Sequence, residues 1–313
     1  MSQVRRRPEG LGKDIHGRRE VVQLRRVEEC LNARRLFTSE LPAPPVHSGS
    51  DRRNSRMHTQ PQEGDPVLRF YTLPPDVYAD YPWLLVNFFN RKKLERFRFK
   101  HAILDSGVNR IFFNWKRDDY PAWVLNRIAF VAQQLSEIYR GRLWVTIPDY
   151  PDDYYPGTVR DNIDRTLRNI ERFLPVEGVE WLPVIQCRYH DIFSFYESCE
   201  EVKKLIGEDY PRIAIGTVCK SRKLSFIVNC CKIARKYFPN SHIHAFGLTL
   251  KALPKVKDYI DSWDSLAWTY PRESGGASCK NLSERQKFFY IYLKRIKMLG
   301  IEPEGIPTEH SVI

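Results

Sequence analysis

Short apolar runs that stop on a polar residue or a glycine, separated by amphipathic stretches of helical period, constrain this chain more than any other feature. The strand-like segments are "VLRFYT", "HAILD", "LWVTIP", "WLPVIQ", "RIAIG", "HIHAFG" and "DSLAWT". Between them, Val124, Ile128, Val131, Leu135 and Ile138 share one helical face, as do Ile163, Leu167, Ile170 and Leu174. A last helix is expected from Ser283 to Leu299, with a capping box at Ser283 and Gln286 and a stop at Gly300. Seven strands alternating with helices predict a parallel α/β fold.

No GxGxxG or GxxxxGK[ST] follows any strand, so the usual nucleotide fingerprints are missing. Instead Asp105, Asp149, Gln186, Gly216 and Gly247 stand at successive strand ends. In a (β/α)8 TIM barrel those ends converge on the face that carries the chemistry, and this is the fold class expected. A barrel takes roughly 250 residues, which leaves an appendage in a chain of 313. Residues 1–64 hold thirteen Lys/Arg against eight Asp/Glu and few large apolar residues, with a short helix expected near Val21 to Leu36. They read as a largely disordered basic extension before a barrel domain at 65–313. That extension is either an arm holding nucleic acid or a dispensable segment with Met57 as the start.

Lys and Arg number 50 against 38 Asp and Glu, a net charge of +12, which suits a polyanion: nucleic acid first, an anionic membrane surface second. The seven cysteines form no CxxC pair and no His cluster has zinc-finger spacing, so reduced thiols and no metal are expected. No apolar run nears the ~20 residues of a membrane span, and the basic N-terminus lacks a signal-peptide core. A soluble, cytoplasmic protein follows, in the host cytoplasm if the gene is viral.

Asp105, Asp149 and Asp264 at one mouth would suit reaction at a glycosidic carbon, where one acid attacks and another moves a proton. Each could equally cap a helix after a βα turn. Whether Asp264 begins a strand "DSLAWT" or ends a strand "YIDSWD", with Asp261 as its neighbour, is open in the sequence.

The ordered series "AILDSG", "VTIPDY", "WLPVIQ", "RIAIG", "HAFG" and "WDSLAWTYPR", over roughly residues 67 to 300, resembles the tRNA-guanine transglycosylase superfamily. The resemblance implies Asp105 as general acid/base and Asp264 as the nucleophile that forms a covalent glycosyl intermediate at ribose C1′. It implies Asp149 as reader of the N1/N2 edge of a guanine-like base, Gln186 on its O6 side, Gly216 as a backbone contact, and Ser106 among the base-binding residues. It needs no cofactor, and its substrates would be a polynucleotide and a free 7-deazaguanine such as 7-cyano-7-deazaguanine. It leaves a homodimer open.

Two departures matter. "DSG" is followed by Val108 and Asn109 where the tRNA enzymes carry a second glycine and a stacking aromatic, so Phe246 is the candidate stack. The family's CxCxxC…H zinc site is reduced to Cys279. Both departures favour the branch that inserts 7-deazaguanines into DNA, with tRNA as the alternative substrate. A base inside a duplex must be flipped out, so faster reaction on unpaired strands is expected.

"NRKKLERFRFK" mixes Arg91, Lys92, Lys93, Arg96, Arg98 and Lys100 with Phe97 and Phe99, which suits phosphate contacts with base stacking, or else a solvated face over two core aromatics. A second basic stretch runs from Lys280 through Arg285, Lys287, Lys294, Arg295 and Lys297. A TIM-barrel glycoside hydrolase and a basic barrel that only binds nucleic acid are the competing readings.

Overall fold

The computed structural model describes residues 68–152, 159–270 and 281–304. The expected N-terminal extension, with its helix near Val21 to Leu36, lies outside them. The strands are β1 (Arg69–Tyr71), β2 (Trp83–Asn87), β3 (His101–Asp105), β4 (Leu143–Thr146), β5 (Trp181–Leu182), β6 (Val184–Ile185), β7 (Arg212–Ile215), β8 (His242–Ala245) and β9 (Ser262–Asp264). The helices are α1 (Ala122–Ile138), α2 (Val159–Phe173), α3 (Ile192–Ile206), α4 (Leu224–Tyr237), α5 (Leu253–Val256) and α6 (Leu282–Met298).

All pairings are parallel, in two sheets ordered β1-β9-β8-β7-β6 and β2-β3-β4-β5. The sheets communicate at both edges. β5 and β6 are two halves of one extended segment broken at Pro183, which has no N–H for the ladder. The first half pairs with β4 and the second with β7, while the Pro183 carbonyl accepts from the Ala214 amide at 2.8 Å. At the other edge Thr72 bridges to β2: its amide donates to the Trp83 carbonyl at 3.2 Å and its carbonyl accepts from Leu85 at 2.9 Å. The architecture is mixed α/β, with two parallel sheets.

The strands are buried on both faces, as parallel strands under a helical layer must be; Ala102 to Leu104, Leu143 to Thr146 and Ile213 to Ile215 are all buried. The helical periodicity is realised for Val124, Ile128, Val131, Ile163 and Ile170. Ile138 departs from the expected face: the last residue of α1, it is 65% exposed, where the chain turns away at Tyr139.

Three local expectations are corrected. "WLLVN" is a strand that the sequence reading missed, because its apolar run continues without punctuation into Phe88 and Phe89. "DSLAWT" is not a strand: Ser262–Asp264 is, and Ala267–Thr269 forms a 3-10 turn whose Trp268 indole donates to Thr72 Oγ1 at 3.0 Å. The cap of α6 is Asn281, which accepts from the Glu284 amide at 2.8 Å, rather than Ser283. An acceptor two residues upstream starts the helix earlier and places Ser283 inside it. The expected stop at Gly300 holds, its amide donating to the Lys297 carbonyl at 2.9 Å. Among the described residues, no helix is long and apolar enough to cross a membrane.

Candidate active site

Register sets the first two acids. Asp105 is the last residue of β3, paired in register with Asn87, the last residue of β2. The Asn87 amide donates to Asp105 Oδ2 at 3.0 Å, and the Gly107 backbone N–H donates to the same oxygen at 3.2 Å. Gly107 has φ +93, and a Cβ there would come within 2.6 Å of the Phe89 ring, so the "DSG" turn needs its glycine for both reasons. Burial pushes the Asp105 carboxyl up to about 6; the negative charge of Asp264 adds to the rise, and the Gly107 and Asn87 hydrogen bonds oppose it.

Asp264 is the last residue of β9, which decides in favour of "YIDSWD" and leaves Asp261 at the opposite end of the strand, paired with Arg235. Asp264 is buried, its Oδ1 accepts from the Gly247 N–H at 2.8 Å, and His244 Nε2 lies 3.4 Å from the same oxygen. Gly247 has φ +60, and a Cβ would overlap the Cys219 sulfur, so the loop after β8 reaches Asp264 only with glycine there.

A buried pair lies on the loops after β4 and β6. Asp149 accepts from Gln186 Nε2 at 2.5 Å, and both are buried. Gly216, next after β7, makes room for this pair: a Cβ there would overlap the Gln186 amide nitrogen and come within 2.8 Å of Val184 Cγ1. Gln186 Oε1 is buried with no hydrogen-bond partner, an acceptor facing no donor. A molecule offering N–H groups to Asp149 and Gln186 would satisfy both.

Ser106 is buried and tied to the Tyr120 hydroxyl at 3.1 Å. Tyr120 packs edge-on against Phe112 and Tyr150, and its hydroxyl is pushed up by burial and by the charges of Asp149 and Asp105. It therefore stands between the two acid sites. Phe246, half-buried, meets His244 edge-to-face at 4.7 Å. Asn87, Tyr120 and His244 were missed in the sequence. Asn87 had a signal, since it ends a strand as the other polar residues do, but the strand itself went unread.

The basic stretch divides. Phe97 and Phe99 are each 6% exposed and belong to the core, so they are no stacking platform. Arg91 donates to the Phe88 carbonyl at 3.2 Å, and its guanidinium lies over the Phe88 ring at 5.0 Å. Lys92 is exposed and Lys93 half-buried; Arg96 faces Asp76 at 3.8 Å, Arg98 pairs with Asp80, and Lys100 with Glu304. On α6, Lys287, Lys294, Arg295 and Lys297 form an exposed face, while Lys280 lies outside the described residues. An unforeseen feature sits on the loop after β3: Phe113, 58% exposed, with the ammonium groups of Lys116 and Lys220 at 4.6 and 5.9 Å from its ring centre. Lys220 comes from the loop after β7, so cations from two loops meet at one exposed aromatic.

A cleft of about 540 Å³ opens instead beside Asp80, Pro82, Phe97, Tyr139 and Arg142, toward the starts of β2 and β3. It lies toward the strand ends opposite Asp105, and of its charged lining Arg98 is paired with Asp80 and Lys100 with Glu304. Among the described residues no three His, Cys, Asp or Glu side chains are placed to hold a metal ion; Cys279 is not among them. The five described cysteines are free thiols.

No family model and no curated protein matches the chain. Among solved structures, the carboxyl transferase domain from Rhizobium etli pyruvate carboxylase with pyruvate aligns at 12% identity and a TM-score of 0.41, covering 79% of this chain and 51% of that one. The same domain with 3-bromopyruvate gives 11%, 0.42, 79% and 50%. With pyruvate and biocytin it gives 14%, 0.34, 71% and 39%. The chain spans about half the length of these proteins or less, and likenesses this loose do not bear on its chemistry.

Proposed function

We propose that this chain is an enzyme, a base-exchange transglycosylase that replaces guanine in a polynucleotide, DNA before tRNA, with a free 7-deazaguanine. We infer too that its two sheets close through the Thr72 bridge and the Trp181–Ile185 segment into one (β/α)8 barrel. The observation that carries the functional reading is the raised carboxyl of Asp105 at the end of β3, which feels the charge of Asp264 at the end of β9. Asp105 is pushed up to about 6, chiefly by burial and with the Asp264 charge among the causes, which suits a proton-transfer group. Asp264, buried at a second strand end with the Gly247 N–H on Oδ1, is the carboxylate left for the nucleophile.

In the first step a carboxylate oxygen of Asp264 attacks C1′, the glycosidic C–N bond breaks, and Asp105 gives its proton to the departing guanine. In the second, Asp105 takes a proton from the incoming deazaguanine, whose ring nitrogen attacks C1′ and releases Asp264. Two displacements give net retention. Asp149 suits the donor-bearing N1/N2 edge of such a base; the free atom of Gln186 is an acceptor, so it suits a donor on that edge and not the O6 that the resemblance implies. The exposed Phe113 with its two lysines and the net +12 charge suit a polyanion whose target nucleotide is unstacked.

The test is incubation with 7-cyano-7-deazaguanine and guanine-containing DNA or tRNA, then nuclease digestion and mass spectrometry of the nucleosides. Deazaguanosine in DNA that disappears with Asp264→Asn is the expected result. Its appearance only in tRNA would reassign the polymer, and none in either polymer would overturn the reading.

A further inference from the structure

A chain of buried polar groups runs beneath Asp264 and is not used by the two displacements. His244 on β8 is fully buried, with Nδ1 2.8 Å from Ser262 Oγ on β9. The same hydroxyl lies 2.8 Å from His242 Nε2. The other nitrogen of His244, Nε2, has no hydrogen-bond partner, and its nearest charged atom is Asp264 Oδ1 at 3.4 Å. A buried polar atom left in this condition is costly, and a contact this long in an unliganded site can shorten when the site fills.

We propose that His244 is a positioning residue for Asp264, fixed by Ser262 and His242 in the tautomer that carries its proton on Nε2. Proton counting gives the direction of the chain. A carboxylate only accepts, so Nε2 must be the N–H, and Nδ1 is then bare. The Ser262 hydroxyl has one proton and gives it to Nδ1, so His242 donates to Ser262 through its own Nε2–H. His242 is held neutral, since burial pushes it down to about 3, and it can supply that single proton. The titratable groups around His244 are Tyr71 of β1, which meets it edge-on, Asp264 of β9, and His101 of β3 and His242 of its own strand, which act on it electrostatically. His101 is likewise driven down to about 3 by burial, so no cationic imidazole from that side competes for Asp264. Gly247 N–H and His244 Nε2–H then converge on Oδ1, which leaves Oδ2, with no hydrogen bond from the described residues, as the attacking oxygen.

This inference rests on the proposed role of Asp264, but its first test does not need turnover. In full-length protein labelled with 15N-histidine, long-range 1H–15N spectra should show His244 protonated on Nε2 only, and Ser262→Ala should abolish that single-tautomer pattern. A proton on Nδ1, or on both nitrogens, would overturn the proposal whether or not base exchange occurs. The second test is kinetic, with Ser262→Ala as the mild variant and His244→Gln and His244→Phe as a donor-retaining and a donor-free pair. Misplacing a reacting group by about 1 Å can cost roughly 10²-fold in rate. His244→Phe should approach that loss with KM for the free base unchanged, His244→Gln should recover part of it, and the acid limb of the rate profile should move to higher pH. Equal losses for Gln and Phe with an unmoved acid limb would mean packing alone.

Discussion

Replacing Asp105 with asparagine should stabilise the protein while ending its proton-transfer role. The carboxyl is raised from 3.8 to about 6, chiefly by burial. Because the folded value lies above the unfolded one, the unfolded chain gives up its proton first as pH rises. Stability is therefore fully present below about pH 4, falls between pH 4 and 6, and is lower by a constant amount above. At about 1.4 kcal/mol per unit, the rise corresponds to about 3 kcal/mol at pH 7. Asparagine removes that cost, and its carbonyl oxygen in the place of Oδ2 keeps both the Gly107 N–H and the Asn87 amide. A neutral acceptor in place of a charged one would weaken these bonds by roughly 1 kcal/mol. The expected net gain at pH 7 is about 1–3 kcal/mol, vanishing or reversing at pH 4. Urea unfolding of both proteins at the two pH values measures it, since a change in midpoint at constant slope is a change in stability. A variant less stable than the parent by the same margin at pH 4 and pH 7 would refute the argument that burial raises this carboxyl.

Gly216→Ala should displace the Gln186 amide from Asp149. A hydrogen bond to a charged group is worth roughly 1.5–3 kcal/mol, so calorimetric titration with a free 7-deazaguanine should show affinity lower by roughly 10- to 150-fold; unchanged affinity would refute the steric argument. Phe99→Ala should lower stability by roughly 3–5 kcal/mol in chemical denaturation, with nucleic-acid affinity unaffected once the protein is folded. Phe113→Ala should do the reverse, weakening single-stranded DNA binding in fluorescence anisotropy by roughly 1–3 kcal/mol with an unchanged unfolding midpoint.

The two phenylalanines show where a sequence pattern stops being informative. Phe97 and Phe99 sit among six cations and read equally well as a stacking platform or as core, and burial assigns them to the core. Phe113 stands beside Phe112 in "RIFF", yet Phe112 is buried against Tyr120 while its neighbour is exposed between two lysines. Nothing local distinguishes adjacent residues in an irregular π-helical turn, because the regular alternation of a strand or the 3.6 period of a helix does not apply there.

The alternation of strands and helices, the polar residue or glycine at the strand ends and the candidacy of Asp105, Asp149, Gln186, Gly216 and Asp264 are legible along the chain. These are local properties: a buried parallel strand must be apolar along its length, and its polar punctuation marks where the chain leaves the core. Which of these ends come together, and what each one touches, is settled by the fold. Asp264 became a strand end through its register with Tyr71. Asn87 met Asp105 through a strand whose limits were invisible in the sequence, and His244 came to lie beside Asp264 because two parallel strands pair side by side. Contacts between residues far apart in the chain carry no local signature, and the raised carboxyl of Asp105, which depends on burial and on a charge 159 positions away, exists only once the fold has formed.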